Sequence, residues 1–367
     1  MIWDVAIVGG GPAGLAAALE ARRAGCSVVV LERHPLPVDK ACGEGLMPAG
    51  LAALERLGVR ARIAADDCAP FDAIRYVQED GRYVEGRLPV PGGLGIRRLA
   101  LATAMVEAAR DAGVELLEGS ALRSHTFEPG GVRLDTDSRE LEARLLVAAD
   151  GLHSPLRKAE QMEVPHTGAV RFGLRQHFVG TPWGPRVEVH FANGAEAYIT
   201  PAGKNRIGVA FLWEDGALPG KVGFPELLAR FPAIAEKLRD ATPDSEVRGA
   251  GPLRHDVPRR VKDRFVLLGD SAGYLDAITG EGLTLGFSAA AALGKNLPDA
   301  LAANATAASL QPYERAVAAD FDAYATQAAR LVWVARRPWL RRFVLNQLIS
   351  HPRWFESGLQ HVAAAVR

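Results

Sequence analysis

The sequence predicts an α/β fold: a Rossmann-like domain, an inserted domain built on an antiparallel sheet, and a helical C-terminus. Three observations predict it. A strand, glycine turn, helix and second strand open the chain. Period-2 segments separated by Gly, Pro and Asn fill its middle. Helical composition runs from Pro312 to the end. At 367 residues, 48% hydrophobic and 23% charged, the chain has a globular composition and length enough for two lobes.

In order, Trp3 to Val8 reads as a buried strand, Gly9 to Gly14 as a turn, and Pro12 to Ala24 as a helix stopped by Gly25. Ser27 to Leu31 is a second buried strand, ending at Glu32. Leu46 to Leu57 reads as a helix, and Ile74 to Val77 with Arg82 to Leu88 as a hairpin around Glu79-Asp80-Gly81. Arg98 to Ala112 is helical, Val114 to Glu118 extended, and residues 122–149 form a β-meander turned by Pro129-Gly130-Gly131. Four alternating segments follow: Val170 to Val179, Arg186 to Phe191, Ala195 to Thr200 and Arg206 to Trp213. Phe224 to Leu238 reads as one helix, Arg264 to Leu268 as a strand, and Gly282 to Leu293 as a helix of small residues.

Charge excludes little but directs nothing. The 43 basic and 43 acidic residues cancel, so no nucleic-acid partner is expected. Cys26, Cys42 and Cys68 form no CxxC pair, which fits a reduced, cytoplasmic setting. The longest uncharged run, Val5 to Leu19, is shorter than the roughly 20 apolar residues that a membrane span requires. None of the nine histidines has metal-ligand spacing, so no metal is expected.

Gly9, Gly11 and Gly14 make a GxGxxG between strand and helix. The first permits the tight turn, the second lets backbone approach a pyrophosphate, and the third lets helix and strand pack closely. The helix from Pro12 and Ala13 offers free N–H groups and a positive dipole end to phosphate. Glu32, followed by Arg33, ends the second strand, where a carboxylate accepts ribose hydroxyls. This pattern alone does not separate FAD from NAD.

Two later segments do. Asp150-Gly151-Leu152-His153-Ser154-Pro155-Leu156-Arg157 directly follows an apolar strand. Arg264 to Asp270 ends in Gly269-Asp270 and leads to Gly280, Gly282, Leu283 and Gly286. With these motifs the sequence resembles the FAD-dependent monooxygenase and geranylgeranyl reductase superfamily, of para-hydroxybenzoate hydroxylase-like fold. The resemblance implies FAD as cofactor, a ribitol contact from Asp270, and a further contact from Arg98, which opens the helix before the third strand. The segment Lys40-Ala41-Cys42-Gly43-Glu44-Gly45-Leu46 is similar to the geranylgeranyl reductase branch, and places Cys42 and Gly43 at the flavin. Ala277 stands where the family usually has proline. The halogenases of this fold carry a WxWxIP signature. Glu196 to Pro201 has neither tryptophan, so halogenation is not expected.

The resemblance implies a discontinuous FAD domain (residues 1–70, 97–165 and 250–300), a substrate domain (71–96 and 166–249) and C-terminal helices (301–367). It also implies an NAD(P)H- and O2-dependent hydroxylase of a hydrophobic aromatic or polyketide-like substrate. NAD(P)H would be a transient reductant, since no second GxGxxG is present. The alternative is a geranylgeranyl reductase-like reductase of isoprenoid double bonds. The expected pocket is apolar, lies between the antiparallel sheet and the flavin, and draws its aromatic walls from Phe172, Tyr198 and Phe211. The C-terminal run Arg336-Arg337-Pro338-Trp339-Leu340-Arg341-Arg342-Phe343 has two readings. One is a helix pair packed on the flavin domain with a solvated basic edge. The other is a face touching an anionic membrane and admitting a greasy substrate. The first is the expectation.

Overall fold

The computed structural model describes all residues except Thr167, Pro219, Lys221, Val366 and Arg367, and residues 361–365 through their backbone. The last two positions of the expected C-terminal helices therefore lie outside the described residues. The chain opens with β1 (Ile2–Val8), α1 (Pro12–Arg23), β2 (Val28–Glu32) and α2 (Pro48–Arg56), then the hairpin β3 (Ala73–Val77) and β4 (Tyr83–Arg87). Next come α3 (Arg98–Asp111), β5 (Glu115–Glu118), and the meander β6 (Leu122–Glu128), β7 (Gly131–Thr136) and β8 (Glu140–Ala148). The long strands β9 (Arg171–Val179), β10 (Arg186–Ala192), β11 (Ala195–Pro201) and β12 (Arg206–Glu214) follow. The chain closes with β13 (Phe265–Leu267), α4 (Gly282–Ala302), α5 (Gln311–Ala335), α6 (Pro338–Ser350) and α7 (Pro352–Ala365).

The apolar runs of β1, β2 and β8 carry side chains buried on both faces, as strands of a covered parallel sheet must. The order is β13-β8-β1-β2-β5, all parallel, with β7 pairing antiparallel with β8 and β6 antiparallel with β7. One face packs on α1, α3 and α4 through Leu15, Met105 and Leu293; the other is sealed by Leu134, Leu156, Phe265 and neighbours. Burying each such side chain contributes roughly 1.5–3 kcal/mol, and these strands supply the rigid platform of the site.

The second sheet places β9, β12, β11, β10, β3 and β4 side by side. Pairing is antiparallel except between β10 and β3, which run parallel. Alternation divides its faces. Ala197, Ile199, Val209 and Phe211 point to one side, packing on the short helices Phe224–Leu228 and Pro232–Lys237. Val189 and Phe191 point to the other, against Leu345, Phe355 and Leu359 of α6 and α7.

Three expectations change. The single helix over residues 224–238 is two, because Pro232 has no N–H to donate and starts a new helix after Phe231. The helix from Leu46 starts at Pro48, since Gly45 and Leu46 pair instead with Gly95 and Leu94. The C-terminal helix pair packs chiefly on the second sheet, with a smaller contact to α2 of the flavin-side domain. α5 lies against α4, but α6 and α7 cross to the β4 edge of the second sheet. The β3–β4 turn holds α6 there: Gln78 Nε2 donates to Asn346 Oδ1 at 2.9 Å, and Glu79 receives Arg341 at 2.8 Å and Arg342 at 2.5 Å. Among the described residues, no helix is long and apolar enough to cross a membrane.

Candidate FAD and substrate site

The glycine turn after β1 shows why the motif needs glycine. Gly9 sits at φ +115°, and a Cβ there would lie 2.2 Å from the Ala149 carbonyl oxygen; at Gly14 it would lie 2.0 Å from the Gly9 oxygen. These two positions let α1 settle on the ends of β1 and β8. At Gly11, by contrast, a Cβ would meet nothing within 4 Å. That open space lies before the N-terminus of α1, where Pro12 leaves no N–H of its own to satisfy. Glu32 is 6% exposed, and its carboxylate accepts the Gly10 N–H at 2.9 Å and the His34 N–H at 3.1 Å. Its oxygens retain further lone pairs for a sugar hydroxyl. Arg33 points to solvent and stands apart from this cluster.

A cavity of about 550 Å³ runs from this turn to the second sheet. Of the sequence-predicted residues, Gly11, Pro12, Ala13, Cys42, Gly43, Arg98, Gly151, Gly269, Asp270, Gly280, Gly282 and Leu283 border it. Gly9, Gly14, Glu32, Arg33 and Asp150 do not. Asp150 instead caps the short helix Pro155–Ala159, accepting the Leu156 N–H at 3.1 Å, while its Oδ1 is buried without a partner. Arg157, of the same segment, is fully buried and structural: it donates to the Leu152 and Ser271 carbonyls and to Glu163, tying the segment to the loop after β13.

Asp270 borders the cavity and accepts no hydrogen bond from the described residues. Burial pushes its carboxyl up, while Arg98, Lys40 and Arg157 pull it down. Burial likewise pushes up the Cys42 thiol, the opposite of the lowered pKa that marks a reactive cysteine. The loop over residues 276–280 makes its turn without the family's proline. The Gly280 N–H donates to the Ala277 carbonyl at 3.1 Å, and the Ile278 N–H donates to Asp276 Oδ1 at 2.9 Å.

Sequence reading missed two charged networks beneath these loops. In the first, Arg171 bridges Glu196 at 2.7 Å and Asp276 at 2.9 Å, all three under 8% exposed. The Tyr198 hydroxyl donates to Glu196 at 3.0 Å and reaches the Ile278 carbonyl at 3.5 Å. In the second, Glu44 accepts the Arg98 N–H at 2.9 Å and pairs with His177, while Arg175 reaches Asp39 at 2.7 Å and the Lys40 carbonyl at 3.0 Å. Both networks clamp a cofactor-side loop onto β9. A signal was present: Arg171, Gly173, Arg175 and His177 alternate along one strand and so share a face. Inward charges on a central strand require buried partners.

Of the expected aromatic walls, Tyr198 and Phe211 border the cavity and Phe172 does not. The Phe172 ring stacks on Trp213 at 5.7 Å, and the Phe211 ring turns to the far face, 4.9 Å from Phe224 and 5.6 Å from Phe231. Strand parity decides this: Phe211 lies one residue out of step with the cavity-facing Ala210 and Leu212. The remaining wall comes from Val187, Val189 and Phe191 of β10 and from Leu331, Val344, Leu348 and Phe355 of the C-terminal helices.

The residues present fit FAD. Arg98 Nε is buried without a partner, and open space also faces Gly43 and Gly280. An unengaged acceptor, Asp270, lines the same cavity as these residues and the α1 N-terminus.

Comparison with known proteins agrees. Residues 3–328 match the family model described as FAD binding domain. The chain is 30% identical over 310 residues to menaquinone reductase of Mycobacterium tuberculosis, covering 77% of this chain and 73% of that one. It is 29% identical over 338 residues to digeranylgeranylglycerophospholipid reductase 1 of Methanopyrus kandleri, covering 84% of each. Among solved structures, the halogenase PltM in complex with phloroglucinol and FAD superposes with a TM-score of 0.81 over 97% of this chain and 85% of that one. At 17% identity that likeness is one of fold. Motifs, cradle and family match converge: the chain belongs to the FAD binding domain family, among the FAD-dependent oxidoreductases that include geranylgeranyl and menaquinone reductases.

Proposed function

We propose that the protein reduces a carbon–carbon double bond of an extended, isoprenoid-like substrate, with NAD(P)H as transient reductant. The observation that carries this reading is the continuity of the cavity. Its cofactor-side wall passes without interruption into an aliphatic and aromatic wall built by β10, α6 and α7. Such a space holds a prenyl chain by burial alone, at roughly 25 cal/mol per Å² of apolar surface. Similarity to two proteins named as reductases supports this reading over hydroxylation, which the sequence alone put first.

FAD, when bound and reduced, supplies the hydride. The chain's own residues do the rest. Gly11 and the α1 N-terminus receive the pyrophosphate, while Asp270 and Arg98 anchor the cofactor beside the cavity. Val189, Phe191, Val344 and Leu348 hold the chain and exclude water. Reduction also needs a proton at the second carbon. Tyr198 on the wall is not its source: burial and the Glu196 carboxylate raise its phenol well above the ordinary value, so it keeps the O–H that it donates to Glu196, and the proton comes from solvent.

The test is an anaerobic assay with NAD(P)H and a polyprenyl lipid panel, read by mass spectrometry. A product gaining two hydrogens without oxygen supports the proposal. Oxygen-dependent gain of one oxygen atom, with O2 uptake, would replace it with hydroxylation of an apolar substrate.

A further inference from the structure

We infer that the protein docks on an anionic phospholipid bilayer through the outer face of α5, α6 and α7, with the cavity beside the lipid. Trp333, Trp339, Phe343 and Trp354 are 52%, 70%, 58% and 60% exposed, among the largest exposed hydrophobic side chains of the described residues. Isolated exposed apolar residues need no explanation, but a group of large aromatics on three consecutive helices does. Trp339 and Phe343 stand one helical turn apart and so share a face of α6. Trp354 is both exposed and part of the cavity wall, and Val334 and Val344, next in sequence to Trp333 and Phe343, line the same wall. Trp354 therefore borders the cavity, and Trp333 and Phe343 each adjoin a residue that lines it.

Charge decides what covers it. From Ala323 to Phe355 the chain holds six arginines and no aspartate or glutamate. Arg341 and Arg342 are offset by Glu79, and Arg336 by Glu214 at 2.6 Å. Arg330, Arg337 and Arg353 have no carboxylate partner among the described residues, and Arg337 lies 4.4 Å over the Trp333 ring. Exposed tryptophans flanked by free arginines match the boundary of an anionic bilayer, where indoles sit at headgroup depth and cations meet phosphate. No described helix can span the bilayer, so the contact is interfacial. The use of this contact, delivery of a lipid-borne substrate, rests on the function proposed above. Its test does not, because binding is read without turnover.

The FAD-loaded full chain is spun with phosphatidylcholine vesicles, with and without phosphatidylglycerol. Sedimentation that depends on phosphatidylglycerol and weakens with salt is expected. The triple variant Trp333→Ser, Trp339→Ser, Phe343→Ser should keep the parent's FAD content and lose at least about tenfold in vesicle affinity. Arg330→Gln, Arg337→Gln and Arg353→Gln should each cost about fivefold with anionic vesicles and nothing with neutral ones. The inference is overturned if the parent stays in the supernatant at low salt, or if the FAD-replete triple variant binds as well as the parent. A concentration-dependent dimer that buries the tryptophans without binding vesicles would overturn it too, and mark the face as a contact between copies.

Discussion

Glu281 opens α4, is 3% exposed, and leaves Oε2 without a partner; burial lifts its carboxyl from 4.5 to about 7. Between those values the folded chain keeps a proton that the unfolded chain releases, so this group's contribution to stability falls as pH rises from 4.5 to 7. Glu281→Gln should therefore raise the unfolding free energy by about 3 kcal/mol at pH 8 and under about 1 kcal/mol at pH 5, read by denaturant titration. A uniform effect at both pH values would show that the carboxyl is ionised in the folded chain. Asp270 sits on the cavity side of the same segment. Asp270→Ala should leave the circular dichroism spectrum intact and weaken FAD binding tenfold to a hundredfold, since a hydrogen bond to a charged acceptor contributes roughly 1.5–3 kcal/mol. A variant that stays unfolded in excess FAD would make Asp270 structural.

At the scale of elements, β9 is where sheet and cofactor loops are joined. Arg171→Met would leave Glu196 and Asp276 facing each other without their cation, at a cost of about 3–5 kcal/mol. Adding Glu196→Gln and Asp276→Asn should restore most of that stability, by thermal unfolding; no recovery would mean that Arg171 acts through packing. Such networks were hidden in the sequence because the carboxylates that meet Arg171, Arg175 and His177 lie 25 to 136 positions away. β1, α1 and β2 were legible because turn, dipole and strand all lie within residues 2–32. The break at Pro232 was also legible in principle, since proline's missing N–H is a local rule. The crossing of α6 to the β4 edge was not: Gln78 and Asn346, which pin it, are 268 residues apart.

Over the whole molecule, the cavity is a junction of three parts of the chain that share no contiguous sequence. Its capacity can be changed from the C-terminal side alone. Leu348→Trp should fill part of it, lowering kcat/KM for a long prenyl substrate at least tenfold while FAD absorbance per chain stays at the parent's level. Parallel loss of flavin would show that the C-terminal wall also supports the cofactor.

That division has a consequence for how such a protein diversifies. The glycine turn, the Asp150 segment and the Gly269-Asp270 corner all precede residue 287, whereas one part of the apolar wall, Leu331, Val344, Leu348 and Phe355 among it, follows residue 330. A lineage can therefore rewrite that part of the wall by drift, duplication or exchange of a C-terminal piece, with the redox core inherited unaltered. Sister proteins would then keep the same electron chemistry and part company over which molecule they admit to it.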